Sequence, residues 1–160
     1  MAEIDIIVPK ITVQQKAVVD IEELYSLIKK FALDKGYDLA EENYKQEGDT
    51  TKVDLEASRE VDDYTKYIIK IGIAASDLKK VETKKKILYE GIIEVDFEAR
   101  LKRDYEGTWE KKPIHRIMRG FFDKYVLKGK FDEYASEIRD ETYLLMELVR
   151  SFLKLPKPIA

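Results

Sequence analysis

The spacing of apolar residues changes period along the chain, and each change marks an element. Ile4, Ile6 and Val8, then Ile11 and Val13, alternate with polar neighbours around Pro9, which predicts an extended edge segment broken at the proline. From Ile21 the period becomes helical: Ile21, Leu24, Tyr25, Ile28, Phe31 and Ala32 form one stripe. Asp20-x-x-Glu23 supplies a capping box at its start, and Gly36 a stop at its end. The period then returns to two. Tyr37 and Leu39 open a short strand that runs into a turn at Glu47-Gly48-Asp49. Val53, Leu55, Ala57 and Val61 make the apolar face of the next strand, which turns at Asp62-Asp63. Tyr67, Ile69, Ile71, Ile73 and Ala75 follow, then Ile87, Tyr89, Ile93, Val95, Phe97, Ala99 and Leu101, with charged residues at the alternate positions. Gly91 interrupts the last of these faces, where a bulge or bend is expected.

Pro113 suits the first turn of a second helix, whose stripe is Ile114, Ile117, Met118, Phe121, Phe122 and Tyr125. Gly129 separates it from a last helix on which Phe131, Tyr134, Ile138, Leu145, Leu148, Val149 and Phe152 face one way, ended by Pro156 and Pro158. The order β-α-β-β-β-β-α-α predicts an α+β fold: an antiparallel sheet of four to five strands with one face covered by three helices. Residues 1–160 read as a single domain with 156–160 as a flexible tail. This element order resembles the helix-grip fold of the START and Bet v1 superfamily, a resemblance that implies an apolar ligand cavity. The chain has one helix between its first two strands where that family usually has two.

Composition narrows the chemistry. Cysteine is absent and His115 is the sole histidine, so Cys-ligated metal centres, Cys-His catalysis and multi-histidine metal sites are excluded, and Ser-His-Asp catalysis is not expected. His115 has no catalytic partner in sequence and reads as a solvated helix residue. No phosphate-binding glycine pattern occurs, and no cofactor is implied. The start of the chain does not read as a signal peptide, and no apolar run reaches the length of a bilayer span, so a cytoplasmic protein with no membrane association is expected. Charged residues make up 38% of the chain, a composition that leans towards thermophile proteins.

The net charge of −3 is unevenly spread: residues 1–78 carry −7, residues 79–130 carry +6 and residues 131–160 carry −2. Lys79, Lys80, Lys84, Lys85 and Lys86 form the densest basic cluster. They suit RNA or ribosome association, or simply a solvated connection. Arg59 shares the apolar face of its strand by parity, and an unpaired buried charge is costly. It could anchor a carboxylate or phosphate inside a pocket, or orient a small apolar or aromatic ligand there beside Tyr67, Phe97 and Phe121; the simpler reading is that it reaches water or pairs with an acid such as Asp62. The run Asp104-Tyr105-Glu106-Gly107-Thr108-Trp109 through Arg119-Gly120-Phe121-Phe122 resembles a segment of uncharacterised archaeal proteins, and the resemblance brings no activity. With no catalytic constellation, the expected function is a non-catalytic binding or assembly module acting on a protein partner or its own copy. A helix-grip pocket and an RNA-binding surface are the alternatives.

Overall fold

The computed structural model describes residues 3–62, 64–82, 87–103 and 127–154. Within them the chain is α+β. Strands β1 (Glu3–Val19), β2 (Asp38–Glu47), β3 (Thr50–Glu60), β4 (Thr65–Glu82) and β5 (Ile87–Arg103) form one antiparallel sheet in the order β1-β5-β4-β3-β2. Helix α1 (Ile21–Asp34) connects β1 to β2, and α2 (Leu127–Lys154) follows β5. The helix expected over Ile114–Tyr125, Phe121 included, lies outside the described residues, as do Lys84, Lys85, Lys86 and the tail 156–160.

The local chemistry explains the element boundaries. Asp20 caps α1, its carboxylate accepting from the amides of Glu22 at 3.0 Å and Glu23 at 3.4 Å. Gly36 stops the helix at φ +80°, a left-handed conformation that a side chain would resist. β2, β3, β4 and β5 form a meander, each antiparallel to the next. β1 pairs with β5, so the first and last of the described strands are neighbours.

Register puts the odd positions of β3, β4 and β5 on one face. Leu55, Ile71, Phe97 and Ile11 form one cross-sheet row; Ala57, Ile69, Ala99 and Val8 form the next. This inner face is covered by Leu24, Ile28, Phe31 and Ala32 of α1 and by Ala135, Ile138, Leu145, Val149 and Leu153 of α2. Thr142 is buried on the same stripe because its hydroxyl donates to the Ile138 carbonyl at 2.7 Å.

Four expectations need correction. Ile4 and Ile6 do not share a face with Val8: the register shifts by one residue between Ile6 and Val8, and again between Val8 and Ile11 around Pro9. Val8 is therefore buried while Ile4 and Ile6 stand on the charged outer face, 50% and 58% exposed. Gly91 is not the bulge; it pairs regularly with Ala17, and the irregularity lies opposite it on β4, between Ser76 and Lys79. Asp77 in that bulge takes φ +54°. Gly129 does not precede the last helix but lies inside it. Leu148 sits about a quarter turn off the buried stripe and is 38% exposed.

Phe97 is completely buried at the centre of the sheet. Phe97→Ala is expected to destabilise the fold by about 3–5 kcal/mol in urea titration, as emptied aromatic core sites do. A loss below about 1 kcal/mol would mean that its surroundings are not packed as described.

Candidate functional site

The inner face ends in charge. At one end of the sheet, Arg59, Tyr67, Leu101 and Asp5 form a single cross-strand row, followed by the Thr65–Arg103 pair. Two guanidiniums thus lie on the face that carries the core, and each is handled in the same way, by a carboxylate and an aromatic ring. Arg103 Nε donates to Asp5 Oδ2 at 3.0 Å, and its guanidinium lies 5.5 Å from the centre of the Phe131 ring.

Arg59 is held more fully. Its guanidinium lies between the rings of Tyr37 and Tyr67, 4.9 Å from the centre of each. Nη1 donates to the carbonyl of Lys35, at the end of α1, and to Glu141 Oε1 at 3.2 Å; Nη2 donates to Glu137 Oε1 at 2.6 Å. Tyr37 donates its hydroxyl to the other oxygen of Glu141 at 2.6 Å. One side chain of β3 therefore ties together the end of α1, the start of β2 and the middle of α2. Arg59 Cδ packs at ordinary contact distance, 3.5 Å, from where a Cβ of residue 36 would stand, so it is the φ of +80° and not crowding that calls for Gly36.

The surrounding aromatics extend the cluster. Tyr134 meets Tyr67 edge to face at 5.9 Å and donates its hydroxyl to Asp62 Oδ2 at 3.0 Å. The other oxygen of Asp62 accepts from the amides of Tyr64 at 2.8 Å and Thr65 at 2.6 Å, which shapes the β3–β4 turn. Tyr67 Oη is enclosed without a hydrogen bond among the described residues; Glu137 acts on it electrostatically but not in hydrogen-bond geometry. Desolvation, and then the Glu141 carboxylate, push the Tyr37 hydroxyl well above the usual tyrosine range. Desolvation, and then Glu137, do the same for Tyr67.

Of the sequence-derived ligand residues, the structure brings Arg59 and Tyr67 together. Phe97 lies two rows away, about 13 Å along the strands. The acids that hold Arg59 are Glu137 and Glu141, not Asp62. Their spacing of four residues on one helix was a visible signal, since it places both on one face. An anionic ligand at Arg59 would have to displace both carboxylates and the Lys35 carbonyl, so the cluster acts as an internal clamp. Lys79 and Lys80 are exposed near the end of β4, where Lys79 faces Glu90 across the β5 pair and Lys80 faces Tyr89.

The outer face carries a different surface. A 280 Å³ depression over Gly72 is lined by Lys10, Glu42, Asp54, Lys70, Asp96 and Glu98 among others. Asp96 is engaged there by the Thr12 hydroxyl at 2.6 Å and by Lys10 at 3.4 Å. No group of three or more metal-ligating side chains converges among the described residues. Ile4 and Ile6 break the charged pattern at the β1 edge, opposite Lys102 and Arg100 of β5.

Arg59→Ala should destabilise the fold by about 2–3 kcal/mol, because it leaves Glu141 half enclosed without its cation. A double-mutant cycle with Glu141→Ala should return a coupling of about 1–3 kcal/mol; no coupling would show that the clamp is not a unit. Alkaline titration gives a second readout. The unfolded chain releases tyrosine protons near pH 10 while the native state retains those of Tyr37 and Tyr67, so stability holds below about pH 10 and falls above it. In Tyr37→Phe that fall should be shallower, and an unchanged slope would contradict the enclosed hydroxyl.

Comparison with protein-family models and with curated proteins finds no match to this chain.

Proposed function

We propose that this chain is a non-catalytic module that works through protein–protein contact inside the cell. The observation that carries the reading is the pair Ile4 and Ile6, 50% and 58% exposed on the strand that ends the sheet order among the described residues. Scattered apolar residues on a surface need no account, but β-branched residues on a strand with one side unpaired among the described residues offer backbone hydrogen bonds and apolar contacts together. That combination is the means by which one chain adds a strand to another.

The rest of the molecule supports a binding role over a chemical one. Arg59, a half-buried cation on the inner face, is engaged by internal partners. The sequence has no cysteine, which removes the thiolate nucleophile and suits a reducing compartment. No helix among the described residues is long and apolar enough to cross a membrane.

The test compares the full chain with the double variant Ile4→Lys, Ile6→Lys in two assays, sedimentation velocity across a concentration series and pull-down against a cell extract. A complex formed by the parent chain and weakened roughly tenfold or more in the variant is expected. Identical behaviour of the two chains in both assays would reject the reading.

A further inference from the structure

The two halves of α2 are attached to the sheet by different means. The second half is held by hydrocarbon: Leu145, Met146, Val149 and Leu153 are buried. In the first half, from Phe131 to Glu141, the buried apolar side chains are Ala135 and Ile138 alone. The contacts that supplement them are polar or aromatic and converge on the charged end of the inner face. Phe131 lies against Arg103, Tyr134 meets Tyr67 and donates to Asp62, and Glu137 and Glu141 hold Arg59. Water competes for such contacts as it cannot for hydrocarbon, and the Glu137 side chain, 53% exposed, is already within its reach.

Two further features lie where this division would act. Thr142 stands at the junction, buried, with its hydroxyl donating back to the Ile138 carbonyl one turn earlier, an arrangement that slightly destabilises a helix and favours a bend. Tyr67, beneath the first half, is completely buried with its hydroxyl unpartnered among the described residues. An enclosed polar group without a partner costs free energy that is recovered when water reaches it. The closed arrangement therefore carries a cost at the place that the polar contacts hold shut.

We infer that α2 is a hinged strap: its first half, residues 131–141, opens from the sheet and closes again while the second half and the strands stay in place, with Arg59 as the latch and Thr142 as the hinge. Glu137 and Glu141 ride on the same strap, so opening withdraws both carboxylates from Arg59 in one movement. The open state thus offers a guanidinium between the Tyr37 and Tyr67 rings, without the two acids that neutralise it in the closed one. This device is independent of Ile4 and Ile6.

Native-state hydrogen exchange of the full chain tests it, read residue by residue by NMR across urea concentrations below the unfolding transition. Relative to their intrinsic rates, the amides of 131–141 should exchange as a group, roughly tenfold or more faster than those of 145–149. Their rates should depend little on urea, since a local opening exposes little surface, whereas those of 145–149 should rise steeply with it. Val149→Ala should speed exchange at 145–149 roughly tenfold or more and leave 131–141 unchanged, because the strap opens without disturbing Val149. Arg59→Ala, which removes the latch, should speed 131–141 by at least a similar factor. One common rate and urea dependence along the helix would overturn the strap, as would a smooth gradient of fraying from 131 to 141. Acceleration of 131–141 by Val149→Ala, or indifference of those amides to Arg59→Ala, would overturn it equally. Should Val149→Ala fail to fold, the urea dependence of the parent chain decides alone.

Discussion

Side chains on a β-strand alternate between faces, so a slip of one residue would turn the whole hydrophobic set of a strand outwards. The architecture rests on this constraint being met by three adjacent strands at once. Leu55, Ile71 and Phe97 lie in one row, and Ala57, Ile69 and Ala99 in the next, because the pairings of β3 with β4 and of β4 with β5 hold without interruption along this stretch. Only with those rows aligned does an apolar surface exist for α1 and α2 to cover. The hydrogen-bond ladder is necessary for the sheet but does not choose the register. The burial of one face does.

The clamp at Arg59 follows from the same alternation carried one step too far for hydrocarbon. Position 59 points inward by parity, at the end of the sheet where the helices no longer cover the face completely. A cation there is tolerable because two rings replace much of its apolar contact and three oxygens replace its water. Those oxygens come from two different helices, so the arginine converts a local problem of desolvation into a long-range tie. Arg103 solves the identical problem one row further on, with Asp5 and Phe131. A single positive side chain, by linking segments far apart in sequence, thereby fixes the placement of α2 on the sheet more sharply than the apolar stripe could, since leucine and isoleucine contacts tolerate sliding.

Much of the fold was legible in the sequence because alternation and helical period are local properties. The core positions of β3, β4 and β5, the cap at Asp20 and the stop at Gly36 are written within a few residues of where they act. The partners of Arg59 were not, because Glu137 and Glu141 follow it by 78 and 82 positions. Parity showed that Arg59 needed an acid; nothing local said which helix would bring one. The bulges were hidden for a related reason. Gly91 looked like the irregular residue because glycine weakens a strand, yet the extra residue is accommodated on β4, opposite it, where Asp77 takes up the left-handed backbone. A missing side chain on one strand gives room for the bend of its neighbour.

The irregularity in β1 shows how one local feature serves both the core and the surface. Without the shift between Ile6 and Val8, either Val8 would leave the inner face or Asp5 would leave Arg103. The extra residue lets both stay: the charged end of the inner face keeps its carboxylate, and the apolar row of Ala99 and Ile69 is completed by Val8. The same shift commits Ile4 and Ile6 to the outer face, where they gain nothing from the fold that contains them. Two exposed β-branched residues are therefore the by-product of satisfying the inner face, and a lysine or threonine at either position would satisfy it equally well. Isoleucine at both positions of a strand that ends the sheet order among the described residues is the surface feature on which the protein-binding proposal rests.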